Sequence, residues 1–159
     1  MKPLLILFMQ LIYGLGYSAT WNGLELDSGF IIHENIDFGK YGLVLQIVNP
    51  TQKPILVPSV ALYNSSRDVT IINIITGKEV DSFVSGGLSP SGDSREQTRG
   101  IVVNPGSRII LVIPLSGIRV FDDPIPGRYR GKHAVFGDII PEFSLEKNGD
   151  VRMIRTRKK

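Results

Sequence analysis

Four short stretches hold side chains of the types that do chemistry. Asp27-Ser28-Gly29 sets a carboxylate beside a hydroxyl and a glycine. Hydrolysis by that arrangement needs two carboxylates sharing a proton. The sequence has one copy, so only a homodimer would supply the second. Asp-Ser-Gly is also ordinary turn chemistry. His33 and His133 are the only histidines, and serines are plentiful. No Gly-x-Ser-x-Gly elbow presents a serine for attack. His133 shares a strand face with Tyr129, Gly131 and Val135, which predicts a structural histidine facing inward or at a rim. His33 stands beside Glu34 and Asp37 and reads as a surface residue. Asp122-Asp123 precedes Pro124. A hard cation wants about six to eight oxygens, so a solvated turn is the expectation there. The sequence has no thiols, no paired histidine spacing and no phosphate-cradling glycine loop. The expectation is a non-enzyme without metal or cofactor.

The elements that would carry these residues read as β. Clusters rich in Ile and Val are bounded by Pro, Gly, Asn and Ser, and no stretch sustains a helical period. Strands are predicted at 24–26, 30–33, 42–48, 55–60, 69–75, 79–84, 100–103, 108–114, 127–136, 142–145 and 151–155. Two hairpins are predicted. One turns at Thr76-Gly77-Lys78. The other turns at Lys147-Asn148-Gly149 and pairs Leu145 with Val151 and Phe143 with Met153, which keeps apolar side chains together. Residues 85–100 form a long polar stretch of the kind that is either a mobile insertion or a binding loop.

The N-terminus assigns a compartment. Lys2 precedes an apolar run from Leu4 to Leu15, and Gly16 and Ser18 occupy the small-residue positions before a cut. Residues 1–18 are expected to be a cleaved signal peptide, because the run is too short to span a membrane and carries Gln10. Residues 19–159 are then one domain with a basic tail, periplasmic or secreted. With no cysteine, the domain must stabilise itself by core burial. Residues 147–159 carry six basic side chains against one acidic, a balance of +5. Residues 19–146 carry eleven basic and fourteen acidic, a balance of −3. The tail reads as a solvated terminus able to touch an anionic surface weakly. Secretion and the lack of an aromatic-basic stripe speak against nucleic acid.

Leu43-Val44-Leu45-Gln46-Ile47-Val48-Asn49-Pro50-Thr51, followed by Lys53-Pro54-Ile55, resembles the early core strand and turn of bacterial immunoglobulin-like sandwiches. Val103-Asn104-Pro105-Gly106-Ser107 and the strand after it resemble a later part of such domains. Pro126-Gly127-Arg128-Tyr129 is similar to their late Pro-Gly-x-Tyr strand opening. BsuPI-type proteinase inhibitors are similar in the first and last of these. Asn49-Pro50-Thr51 matches the opening of the first loop of chagasin-like inhibitors, and Gln52-Lys53 departs from it. Ser85-Gly86-Gly87 resembles their glycine-rich second loop, and their Arg-Pro-Trp third loop is missing.

The resemblance implies an all-β, immunoglobulin-like sandwich, and the expectation for its role is a non-enzymatic protein that binds a protein partner of the cell envelope through its loops. The candidate contact residues are Asn49, Pro50, Thr51, Gln52, Lys53, Gly86, Gly87, Arg95, Arg99 and Trp21. Inhibition of, or immunity to, a protease or toxin is one alternative. A structural subunit pairing through its sheet edges is another.

Overall fold

The computed structural model of the chain describes residues 12–32, 40–59, 68–82 and 100–154. Among these residues ten strands follow one another: β1 (Ile12–Trp21), β2 (Leu24–Ile32), β3 (Tyr41–Val48), β4 (Ile55–Pro58), β5 (Val69–Asn73), β6 (Gly100–Val103), β7 (Arg108–Pro114), β8 (Gly127–His133), β9 (Gly137–Leu145) and β10 (Val151–Met153). One helical turn, α1 (Arg119–Asp122), lies between β7 and β8. The fold is all-β and every pairing is antiparallel. One sheet has the order β1-β2-β3-β7, a second β10-β9-β8-β5, and β4 and β6 form a two-stranded ribbon.

Period-two patterning decides which faces meet. Leu24, Leu26 and Phe30 of β2, and Leu43, Leu45 and Ile47 of β3, are buried on one face. They join Tyr129 of β8, Ile140, Phe143 and Leu145 of β9, and Val120 and Phe121 of α1 in one core. Two buried hydrogen bonds tie the sheets together. Ser28 Oγ donates to the Ile139 carbonyl, and Tyr41 donates to the Gly149 carbonyl at 2.6 Å. Gly149 is required twice over. Its φ is +87°, and a Cβ there would come within 2.6 Å of the Tyr41 hydroxyl.

Several strands match their sequence expectation. β6 and β7 have the expected bounds, and β10 pairs with β9 through Leu145–Val151 and Phe143–Met153. The two pieces expected at 24–26 and 30–33 are one strand, β2, because Asp27-Ser28-Gly29 continues the ladder instead of turning. Ser28 fits because its hydroxyl finds an acceptor across the core. The arm expected at 79–84 forms only isolated bridges, Ile72–Glu79 and Ser82–Ile118, over its described part. Residues 12–18, assigned by sequence to the leader, pair with β2, with Ile12 opposite Ile31 and Ser18 opposite Asp27.

Candidate functional site

One end of the sheets gathers four connections. The β1–β2 turn is Asn22-Gly23, with φ of +48° and +84°, the two left-handed positions of a two-residue hairpin. A Cβ at Gly23 would lie 3.5 Å from Thr51, so this turn sits beside the loop between β3 and β4. That loop is locked to the β6–β7 turn. The Asn49 amide donates to the Ser107 carbonyl at 3.0 Å, and the Gly106 amide donates to the Asn49 carbonyl at 2.8 Å. The fourth connection, between β8 and β9, brings Phe136 against the edge of Trp21, with ring centroids 5.2 Å apart.

Asn49 organises this end from within. It is fully buried. Its Nδ2 donates to the Val103 carbonyl at 2.7 Å and to the Lys53 carbonyl at 2.8 Å. Its Oδ1 accepts from the Thr51 amide at 3.0 Å and the Thr51 hydroxyl at 2.7 Å. Its side chain therefore holds the loop, and faces the interior. Pro50, Gln52 and Lys53 are exposed on the rigid platform this creates, and Thr51 is half-buried. Replacing Asn49 with alanine leaves the buried Val103 carbonyl without this donor and the Thr51 amide without its acceptor. The expected cost is about 2–3 kcal/mol, read by urea unfolding. A loss below about 0.5 kcal/mol would mean that the loop is not held this way.

Trp21 is half-buried and packs against the core. Gly86, Gly87, Arg95 and Arg99 lie outside the described residues, as do His33 and the tail from residue 155. The exposed turn Asn104-Pro105-Gly106-Ser107 belongs to the same end as Asn49, although by sequence it is only the loop entering a later strand and not a contact candidate. Its Asn-Pro-Gly composition was the available signal for a presented turn.

The residues with chemical potential are placed as follows. Ser18 Oγ donates to Asp27, whose carboxylate lies on the outer face of β2, whereas Ser28 points inward. Among the described residues no group of three or more His, Asp or Glu side chains is arranged to hold a metal ion. The Asp122 carboxylate accepts from the Gly117 amide at 2.9 Å and closes the turn before α1. His133 faces inward and is buried. Its Nδ1 accepts from the amides of Val135, at 3.2 Å, and Phe136, at 3.4 Å. The proton is thereby assigned to Nε2, which has no hydrogen-bond partner among the described residues. Burial lowers the His133 pKa to about 4. The neutral ring stacks near Phe136 at 5.0 Å and supports the turn that carries it.

The site is thus a set of pinned turns with exposed polar, basic and proline side chains. No family model matches the chain, and no curated protein matches it.

Proposed function

We propose that the chain is a non-enzymatic binding or accessory protein of the bacterial cell envelope, contacting a protein partner through the loop end built on Asn49. The supporting observation is the rigidity of that end. Four connections converge there, and a fully buried asparagine fixes the loop that presents Pro50, Gln52 and Lys53. A surface held in one conformation loses little entropy on binding. Loops on a rigid β scaffold are also where binding residues concentrate.

The architecture is read as an immunoglobulin-like sandwich behind a cleavable signal peptide at residues 1–18. Pairing of β3 with β7, and of β8 with both β5 and β9, supports the sandwich. So does Tyr129, at the third position of β8. It is buried and donates to the carbonyl of Ile125, four residues upstream, at 2.9 Å, as a tyrosine corner does. Removal of residues 1–18 would leave Ala19, Thr20 and Trp21 paired with Leu26, Glu25 and Leu24. Protease or toxin inhibition is the second reading, because the Asn49-Pro50-Thr51 loop belongs to this same pinned end.

The test is a crosslinking pull-down from the native envelope. The mature protein, with an intact mass that begins at Ala19, is expected to capture a protein partner. A Gln52→Glu/Lys53→Glu variant is expected to lose that partner. Lys147→Glu, at the opposite end of β3 beside the Tyr41–Gly149 contact, is expected to keep it. Capture unaffected by the loop variant removes the loop reading. A mass that includes residues 1–18 removes the signal-peptide reading.

A further inference from the structure

We propose that β7 is a self-pairing edge, through which two copies of this chain join antiparallel into a continuous sheet. The inference is independent of the loop reading above. β7 pairs with β3 on one side, and among the described residues no strand pairs with its other side. The remaining edges are blunted in the ways β proteins use. β1 carries a register shift between Tyr13 and Tyr17, and removal of residues 1–18 would open β2 from Asp27 onward, an edge interrupted by Gly29 and carrying the Asp27 carboxylate on its outer face. β10 has three residues, and β4 and β6 have four each. β5 is flanked by the Ile72–Glu79 bridge and the Val80 amide donating to Ile71. β7 has seven residues in unbroken register, with no charge, proline or bulge between Arg108 and Pro114.

The backbone fixes what that edge offers. The β3–β7 ladder is bracketed by Leu115 N–H donating to Tyr41 and by Asn49 N–H donating to Ser107, both at 3.0 Å. Hydrogen-bonded positions recur at every second residue of an antiparallel strand. Residues 109, 111 and 113 therefore turn their N–H and C=O groups to β3. Ile110 and Val112 turn theirs to the open side, where Arg108 adds both groups and Pro114 a carbonyl. The Ile110 and Val112 side chains stand on the outer face, 59% and 36% exposed. Their β3 neighbours on that face are Gln46 and Val44, both uncharged.

A two-fold axis at Leu111 makes this strip complementary to itself. Ile110 of one copy then faces Val112 of the other, and the pair exchanges both backbone hydrogen bonds. The apolar side chains meet on the outer face, and Arg108 faces the partner's Pro114 carbonyl. The two Arg108 residues end about 20 Å apart at ~3.4 Å per residue, beyond the ~10 Å over which salt leaves charges coupled. An edge about 24 Å long and about 20 Å deep removes roughly 1,000 Å² in total, the low end for specific association. The occupant is a second copy held in a weak, concentration-dependent dimer.

The chain has no cysteine, so introduced thiols report without background. Paired residues at a hydrogen-bonded site stand about 5.5 Å apart at Cα, within disulfide reach. Oxidising a mixture of Ile110→Cys and Val112→Cys proteins is expected to give several-fold more crosslinked dimer than either protein alone. Sedimentation of the wild type is expected to show dimer growing with concentration. Val112→Lys is expected to abolish that dimer without lowering the unfolding midpoint, because the side chain is on the outer face. Ile110→Pro, which removes an outward N–H while the β3-facing donors of residues 109 and 111 remain, is expected to abolish the dimer as well. A wild type that stays monomeric at all concentrations overturns the proposal, even if it binds an extended peptide. So does a dimer that survives Val112→Lys, or one without preferential 110–112 crosslinking.

Discussion

Replacing Phe143 with alanine is expected to remove about 3–5 kcal/mol of stability. Phe143 lies on β9 and is fully buried. Its ring meets Phe30 of β2 at 4.8 Å, Tyr129 of β8 at 5.6 Å and Phe121 of α1 at 5.8 Å. It therefore joins both four-stranded sheets and the helical turn at one point. Alanine loses the transfer energy of the ring and leaves a cavity that four rigid elements cannot close. The aromatic contacts add about 0.5–1.5 kcal/mol per pair, not independently of one another. Typical domains are stable by only about 5–15 kcal/mol, and this one has no disulfide to hold the unfolded chain together. Trp21, the single tryptophan, reports the transition through its contact with Phe136. The urea midpoint should fall with the slope unchanged. Phe143→Leu, closer in volume, should cost far less. A loss below about 1 kcal/mol for alanine would show that the aromatic cluster does not join the sheets.

Local signals account for what was readable from sequence. Gly100 to Val103 and Arg108 to Pro114 are apolar runs separated by Asn104-Pro105-Gly106, and turn chemistry marks strand ends sharply. The β9–β10 register was legible because one choice of turn paired Leu145 with Val151 and the other paired it with Arg152. Asp27-Ser28-Gly29 misled because turn propensity is local, whereas the Ser28 acceptor at Ile139 is 111 residues away. Asn22-Gly23 is a strong hairpin signal. Sequence gives it no first strand, because only Ala19-Thr20-Trp21 stand between it and the leader expected at residues 1–18. The loop end was half-visible. Asn49-Pro50-Thr51 announced a turn, but the burial of Asn49 depends on Val103 and Ser107, which only the fold brings near. The β7 edge was invisible for the same reason, since edge position is a property of strand order.

Acid should destabilise the protein through His133. Its folded pKa lies at about 4, below the ordinary value of 6.5, and burial is the cause. Between those values the unfolded chain binds a proton that the folded chain refuses, so stability falls as pH drops through the window. At about 1.36 kcal/mol per pKa unit the loss approaches about 3 kcal/mol by pH 4, and below that pH it stops growing. The direction follows from the structure. Nε2 is buried without a partner among the described residues, and Nδ1 already accepts two amides, so a protonated ring would lose both acceptor contacts and bring an unpaired charge into the core. Two remedies are closed. The β5 residue paired with His133 is Val69, and the residue across on β9 is Gly137, neither of which offers a counter-charge. Asparagine keeps an acceptor near the position of Nδ1 and does not titrate. His133→Asn is therefore expected to cost stability at pH 7 yet to flatten the dependence between pH 6.5 and 4. Urea midpoints of both proteins across that range, read at Trp21, make the comparison. Equal slopes in the two proteins would place the acid sensitivity elsewhere. A flattened slope would assign it to the residue behind Phe136, at the end of the sheets where Asn49 holds the exposed loop.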